Sequence, residues 1–178
     1  MNCEPNPQEM ITLKHPGPVA LARATASDAT LSTPFACTVE SGEDLFATVE
    51  TAMARDGLMT ATFTLVQGNI ARLTIMTGGV ATAHSPVGFC GPHVIGGPVR
   101  IVSGTGICGL DEAGHRFCHC HAVFADTAGR LVGGHLMLGK TIADASGAEI
   151  EIHPVHNAAF RRAIDPETGF AIFHPVAM

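Results

Sequence analysis

Charged residues are scarce in this sequence: Asp, Glu, Lys and Arg make up 15% of the 178 residues. Because this share is low for the surface of a monomer, we expect part of the surface to be buried in an oligomer. Cations are the scarcer kind, with ten Lys and Arg against sixteen Asp and Glu, and the formal charge is −6. A duplex-binding surface needs clustered cations to displace counterions, but the one adjacent basic pair is Arg161–Arg162. The charge pattern therefore disfavours a nucleic-acid partner.

The cysteines lack the spacing of metal-binding or redox motifs. None of the six lies in a C-x-x-C pair, which excludes zinc-knuckle and thioredoxin-like sites. Several occupy apolar, strand-like runs, where a free cysteine acts as a small hydrophobic residue. Long apolar runs near the start are also missing, since "PVALA" is too short for a signal peptide or a membrane span. We therefore expect a cytoplasmic protein without a membrane segment.

Length and apolar content fit one domain with additional terminal segments. With 178 residues, 46% of them hydrophobic, the chain can form a core of its own. Residues 1–32 are polar and rich in small side chains, and they predict an extended leader or arm that could lie on a neighbouring subunit. The domain is expected to cover residues 33–155. Residues 156–178 are expected to form a C-terminal tail with a short helix.

One helix and several strands follow from the hydrophobic pattern. In "SGEDLFATVETAMARDG" apolar residues recur at helical spacing, so a helix is expected to begin after an N-cap at Ser41 and to end near Asp56. The Gly- and Pro-rich residues 79–97 predict a loop that carries His84 and His93. Strands are predicted in "PFACTVE", "TATFTLVQG", "IARLTIMTG", "PVRIVSGTGIC" and "TIADASGAEIEIHPV", the second and third divided near Gly68. This pattern favours an α+β fold with a mostly antiparallel sheet and one main helix.

The segment "RFCHCHAVFADTAGRLVGGHLML" predicts a β-hairpin. Asp126 suits the first position of a type I turn, and Gly129 falls where a three-residue hairpin loop needs a left-handed residue. If Asp126 faces Arg130, each step back along the first strand is matched by one step forward along the second. His121 then lies directly opposite His135.

This hairpin brings three histidines together. His119 precedes His121 by two residues and therefore points to the same face of the sheet. Facing β-carbons are about 4.5–5.5 Å apart, which lets His119, His121 and His135 converge on one ion at Zn–N distances of about 2.0–2.1 Å. The alternative is that ordinary hydrogen bonds to backbone or water hold these histidines. Cys118 and Cys120 alternate with them, so both are expected in the core and not as ligands.

Other residues could complete the site. Gly133 and Gly134 either permit a bulge or a close backbone approach, or leave room for an ion or small ligand beside His135. Catalysis would also need a proton-transfer group within hydrogen-bond reach. The candidates for this role, which the sequence does not place near the ion, are Glu43, Glu151, His84, His93 and His153.

These motifs resemble those of a known family. "HCHAVFADTAGRLVGGHL" is similar to the H-x-H…D-x-x-G-x-x-x-G-G-H-L signature of the plant-and-prokaryote-conserved domain, abbreviated PPC or PCC. "SGEDLFATVETAMARDGLMTATF" resembles the "GED" helix and following strand of that family, and "GGPVRIVSGTGIC" resembles its "GPFEILSLSGT" strand. The resemblance covers roughly residues 33–155.

The resemblance implies an antiparallel α+β fold, similar to that of acetolactate decarboxylase, and assembly as a homotrimer. It also implies that His119, His121 and His135 can hold a metal, usually taken as zinc. Plant members grip the DNA minor groove with an R-G-R-P-type AT-hook, which this sequence lacks, so it resembles the bacterial type. The DNA-binding description that bacterial relatives often carry gains no support from this sequence.

The sequence is compatible with three functions. The favoured one is a non-catalytic homotrimer that uses the zinc site for regulation or small-molecule recognition. The second is a zinc-dependent lyase or hydrolase, since three histidine ligands leave a fourth metal position for water or substrate. The metal could also merely fasten the trimer. The third is a DNA-binding trimer, which the net negative charge disfavours.

Overall fold

The computed structural model describes residues 15–22, 24–79 and 88–178. Within these residues the chain forms one helix and eight strands. The helix is α1 (Leu45–Arg55), and the strands are β1 (Thr30–Leu31), β2 (Phe35–Val39), β3 (Ala61–Gly79), β4 (Gly88–Leu110), β5 (Arg116–Ala125), β6 (Leu131–His156), β7 (Ala158–Ile164) and β8 (Ala171–Ala177).

The strands form a mostly antiparallel sheet that closes on itself. β3 pairs with β4 along one edge and with β6 along the other. β5 pairs with both β4 and β6, so these four strands make a closed circuit. β1 and β2 pair with other parts of β6, while β7 and β8 extend the sheet through one parallel pair, Leu110 and Arg161. The expected α+β fold with a mostly antiparallel sheet and one main helix is confirmed.

Asp44, and not Ser41, caps α1. The Oδ1 atom of Asp44 accepts hydrogen bonds from the N–H groups of Phe46 (3.0 Å) and Ala47 (3.2 Å). Its Oδ2 atom accepts a third from the N–H of Thr141 on β6 (3.0 Å). The carboxylate thus satisfies free donors of the first helical turn and also fixes the helix to the sheet. This double role explains why the helix starts later than its sequence pattern predicts.

One hydrophobic core lies between α1 and the inner face of the sheet. On β5, Cys118, Cys120 and Phe124 are at most 1% exposed, so the expected placement of both cysteines in the core is confirmed. Successive strand residues point to opposite faces, so His119 and His121 face outward. The fully buried side chains around these β5 residues include Leu45, Met53, Phe63, Ile70, Leu73, Leu136, Ile150 and Ile152.

Three further local predictions are wrong. Residues 61–79 form one strand instead of two, because pairing with both neighbours continues past the irregularities at residues 65–70. Residues 88–97 of the expected loop belong to β4, since they pair with β3. The tail forms the β7–β8 hairpin in place of a short helix, and there Phe117 and Phe160 pack on Phe173.

The division of the chain at residues 32 and 155 stays a prediction. Residues 1–14 and 23 of the expected arm lie outside the described residues. Gly17 and Ala20 of that segment donate their N–H groups to the main-chain carbonyl and the side chain of Glu167. This part of the N-terminal segment therefore lies against the connection between β7 and β8.

Two of the cysteines expected to be free are joined. Cys108 and Cys118 face each other on β4 and β5 and form a disulfide, whereas Cys37 and Cys120 are free. Persistent disulfides are rare in a reducing cytoplasm, so this bond does not favour the expected cytoplasmic location. That location stays a prediction. Among the described residues, no helix has the length and apolar character needed to cross a bilayer.

Candidate metal centre

A tight turn at residues 126–130 joins β5 to β6. The N–H of Asp126 donates to the carbonyl of Arg130, and the N–H of Gly129 donates to the carbonyl of Asp126, both at 2.9 Å. The carboxylate of Asp126 accepts from the N–H groups of Ala128 and Arg130 and from Nε of Arg130. The bonds from Arg130 lower the pKa of Asp126. Gly129 has φ 77°, which glycine adopts without steric cost. The predicted turn is confirmed.

This turn sets the register of β5 and β6. His121 pairs directly with His135, and the pairs between them and the turn follow without a shift. The predicted facing of His121 and His135 is therefore confirmed. His119 lies two residues before His121 and points to the same face.

The three imidazole rings form a triangle on the outer face of the sheet. Ring centroids are 4.6 Å apart for His119 and His135, 4.8 Å for His119 and His121, and 5.4 Å for His121 and His135. One ligand nitrogen from each ring lies within 4.8 Å of the other two. In a tetrahedral zinc site the ligand nitrogens are about 3.4 Å apart, given Zn–N bonds of about 2.0–2.1 Å. Small ring rotations would therefore bring all three nitrogens into ligating positions.

Burial keeps two of these histidines neutral. Loss of hydration lowers the pKa of His119 to about 4, with further contributions from His135, His121 and the guanidinium of Arg162. Burial also lowers the pKa of His135, with His121 contributing in the same direction. Only a neutral imidazole has a lone pair to offer a metal. At neutral pH these two rings can bind a metal without first releasing a proton.

One nitrogen of His135 is buried without a partner. Among the described residues, none forms a hydrogen bond with Nδ1 of His135. A buried polar atom without a partner is costly, and a metal ion bound by this nitrogen would supply the missing interaction. The donor set therefore fits a divalent metal such as zinc, since it offers three close nitrogens and leaves a fourth position.

Gly134 lets β3 approach the site closely. A β-carbon at Gly134 would clash with the carbonyl oxygen of Met76, the residue on β3 that pairs with His135. At Gly133 an added β-carbon would lie 2.7 Å from the carbonyl oxygen of Ala122. Both glycines thus permit close backbone approach, and the ladder between β5 and β6 has no bulge there.

Two of the proton-transfer candidates contact residues outside the histidine group. Oε2 of Glu43 accepts a hydrogen bond from the hydroxyl of Thr48 at the start of α1. Nε2 of His93 lies 3.3 Å from Oγ1 of Thr77 on β3. Neither residue belongs to the compact histidine group. His84 lies outside the described residues.

Glu151 and His153 share the outer face with the histidines but lie at a distance from them. Their side chains form a pair, with Nε2 of His153 3.2 Å from Oε1 of Glu151. Strand pairing leads from Glu151 through Thr64 and Thr105 to His121. These are three strand spacings of about 4.8 Å each. At this separation neither side chain reaches the position between the imidazoles.

Two aromatic rings beside the site were not anticipated from the sequence. The ring of Phe89 on β4 lies 5.8 Å from that of His135, and the ring of Phe170 lies 6.2 Å from that of Phe89. Phe89 is 61% exposed. Residues 89, 135 and 170 are distant in the chain, and the Gly- and Pro-rich surroundings of Phe89 conceal the strand that positions it.

Residues 26–152 match the sequence profile of the Plants and Prokaryotes Conserved (PCC) domain. The chain belongs to the PCC-domain family. The matched part of this PCC-domain protein contains all three histidines, and the resemblance seen in the motifs is confirmed. Comparison with curated proteins finds no match.

Solved structures share the fold of this PCC-domain protein. A metal-containing protein of Archaeoglobus fulgidus superposes with a TM-score of 0.66 at 20% identity, over 85% of this chain and 99% of that one. A plant- and prokaryote-conserved protein of Pyrococcus horikoshii gives 0.63 at 19%, over 87% and 100%. A candidate DNA-binding protein of Ralstonia eutropha gives 0.64 at 19%, over 78% and 89%. At such identities the likeness establishes the fold alone.

Proposed function

We propose that this PCC-domain protein is a regulatory or small-molecule-binding module in which His119, His121 and His135 hold one zinc ion. The observation that carries the proposal is the convergence of the three imidazoles, whose ligand nitrogens lie within 4.8 Å of one another. Three histidine nitrogens with an open fourth position are a frequent zinc ligand set. The metal-containing description of the Archaeoglobus fulgidus protein, which shares the fold, supports it. When bound, the ion would act as a Lewis acid toward a ligand oxygen.

Binding is favoured over catalysis. A zinc-dependent lyase or hydrolase that used the same histidines would need a proton-transfer group within hydrogen-bond reach of its substrate. The described candidates on this face, Glu151 and His153, lie three strand spacings from His121. The enzyme alternative ranks second, because none of the described candidates belongs to the compact histidine group.

The proposed assembly is a homotrimer. Val123 and Leu131, on the strands that carry the histidines, are 37% and 66% exposed. Apolar side chains exposed next to one another are typical of interfaces, and the low charge content points the same way. Light scattering is expected to give three times the chain mass of 18.4 kDa. A monomer would contradict this assembly.

DNA binding is not part of the proposal. The Ralstonia eutropha protein is described as a candidate DNA-binding protein, but this chain carries a formal charge of −6. In addition, one member of its adjacent basic pair is engaged. Nη1 of Arg162 lies 3.0 Å from the carboxylate of Glu112, and the guanidinium lies 4.8 Å from the ring centroid of Phe117.

Zinc content tests the proposal. After zinc loading and desalting, the wild-type protein is expected to retain about one zinc ion per chain by mass spectrometry, and His121→Ala is expected to lose most of it. His115→Ala is the matched control, because the side chain of His115 is 81% exposed in the turn between β4 and β5. Wild-type protein without zinc, or equal zinc in His121→Ala, would contradict the proposal.

A further inference from the structure

A depression in the outer face of the sheet adjoins two of the three histidines. Its volume is about 460 Å³, which lies within the roughly 300–1,000 Å³ of small-molecule sites. Its lining comes from β3, β4 and β5 and includes Thr62, Thr64, Thr105, His119 and His121. A small molecule bound here would contact both the metal position and the surface of β3 and β4.

Strand register places three polar lining residues of this depression in a row with Glu151, which lies beyond its lining. The row runs from His121 on β5 to Thr105 on β4, then to Thr64 on β3 and Glu151 on β6. Directly paired residues have β-carbons about 4.5–5.5 Å apart on the same face. The row therefore leads from the metal position across two hydroxyl groups to a carboxylate.

The hydroxyl groups of the depression have unused hydrogen-bonding capacity. Within the described part of the chain, the hydroxyls of Thr62, Thr64 and Thr105 form no hydrogen bond. The nearby hydroxyl of Thr60, by contrast, donates to the carbonyl of Cys108 and accepts from the N–H of Phe160. Each threonine hydroxyl can donate one hydrogen bond and accept others, so the floor of the depression matches a ligand that carries hydroxyl groups.

The charges favour an anionic group at the histidine end. A divalent metal would add two positive charges to the imidazoles, whereas the nearby guanidinium of Arg162 is already paired with Glu112. At the far end Glu151 is a carboxylate paired with His153. A ligand with one negative charge at the metal end and a neutral remainder fits this distribution.

We propose that the depression binds a small monocarboxylate that carries several hydroxyl groups, such as a sugar acid. Its carboxylate lies at the histidine end, and its hydroxyls bond to Thr105 and Thr64. The inference rests on the proposed zinc site, because the metal supplies the charge that holds the carboxylate. An apolar acid of the same length leaves both threonine hydroxyls against carbon and therefore binds more weakly.

Gluconate serves as the probe, and hexanoate is the comparator with equal carbon number and no hydroxyls. Isothermal titration of the zinc-loaded full-length protein is expected to show gluconate binding about tenfold more tightly. Thr64→Val and Thr105→Val keep the branched shape but lose the hydroxyl. Each is expected to weaken gluconate binding about three- to tenfold and to leave hexanoate binding as tight or tighter, since the valine removes an unsatisfied hydroxyl. Thr38→Val is the matched control, because Thr38 lies on β2 and outside the depression.

The outcomes separate this inference from the proposed function. Zinc content is measured before and after titration, since hydroxy acids can extract a weakly held metal. Wild-type protein that retains no zinc contradicts the proposed function. Zinc-loaded protein that binds gluconate no more tightly than hexanoate overturns the ligand assignment and leaves the metal site standing. Unchanged gluconate affinity in Thr64→Val and Thr105→Val, or an equal loss in Thr38→Val, overturns it as well.

Discussion

His121 and His135 face each other across β5 and β6, with their ring centroids 5.4 Å apart. A slip of one residue in this register would send one of the two side chains to the opposite face. The carboxylate of Asp126 prevents such a slip by binding two N–H groups of the turn and the side chain of Arg130. The approach of the histidines therefore depends on a carboxylate that itself lies outside the site.

Removal of this carboxylate is expected to weaken zinc binding. Asp126→Ala loosens the turn that holds β5 against β6, so zinc affinity falls together with the melting temperature. Asp111→Ala is the matched control, because Asp111 binds the N–H groups of Ala113 and His115 in the same way in the turn between β4 and β5. Each variant should lower Tm by roughly 2–4 °C, and zinc titration should separate them. Equal zinc affinity in the two variants would contradict this account.

A methyl group at Gly134 is expected to displace β6 from β3. In Gly134→Ala the new β-carbon meets the carbonyl oxygen of Met76, and overpacking of this kind costs about 1–3 kcal/mol. Zinc affinity should fall as well, because His135 is the next residue. Gly78→Ala is the control, since a β-carbon at Gly78 has no neighbour within 4 Å. Chemical unfolding and zinc titration measure both effects, and a loss in Gly78→Ala as large as that in Gly134→Ala would refute the explanation.

Zinc-free protein is expected to lose stability as the pH falls from about 6.5 towards 4. The pKa of His119 drops from 6.5 to about 4 on folding, so in this window the unfolded chain binds a proton that the folded chain does not. The stability that depends on the neutral ring is complete above pH 6.5 and is lost on acidification. The pKa of His135 shifts in the same direction. Because both rings are partly exposed, the loss is on the order of 1 kcal/mol.

Urea unfolding at several pH values measures this effect. In His119→Gln the other titrating groups remain, so the free energy of unfolding should fall less steeply between pH 6.5 and 4 than in the wild type. Bound zinc should hold the wild-type value nearly constant until the metal is released. Equal slopes in the zinc-free wild type and His119→Gln would show that burial does not act on this ring.

Duplex DNA is expected to remain unbound even at low salt, where electrostatic affinity is greatest. The reasons are the formal charge of −6 and the engagement of Arg162 by Glu112. An electrophoretic shift assay at about 50 mM salt measures whether the protein binds a duplex fragment. A shift that weakens steeply as salt is added would restore DNA as a partner.

The sequence predicts the histidine hairpin because the turn residues and the side chains that alternate between the two faces all lie within about twenty residues. Asp126 and Gly129 define the reversal, and the period of two places His119 with His121. The cap of α1 was predicted wrongly because a long-range bond decides it. Asp44 reaches the N–H of Thr141, 97 residues away, and no local pattern reveals that partner.

The remaining parts of the site depend on pairing between distant strands. Phe89 stands beside His135 because residues 88–97 pair with β3, although their glycines and prolines are typical of a loop. Thr64 and Thr105 share a row with His121 because the registers of β3, β4 and β5 coincide. The threonine alternation in "TATFT" was visible in the sequence, but its neighbours across the sheet were not.

Zinc K-edge X-ray absorption of the zinc-loaded protein tests the central claim most directly. If His119, His121 and His135 bind the ion, the spectrum will show imidazole scattering with nitrogen or oxygen neighbours at about 2.0–2.1 Å. A shell of sulfur at about 2.3 Å, or the absence of imidazole scattering, would place the metal elsewhere and contradict the account.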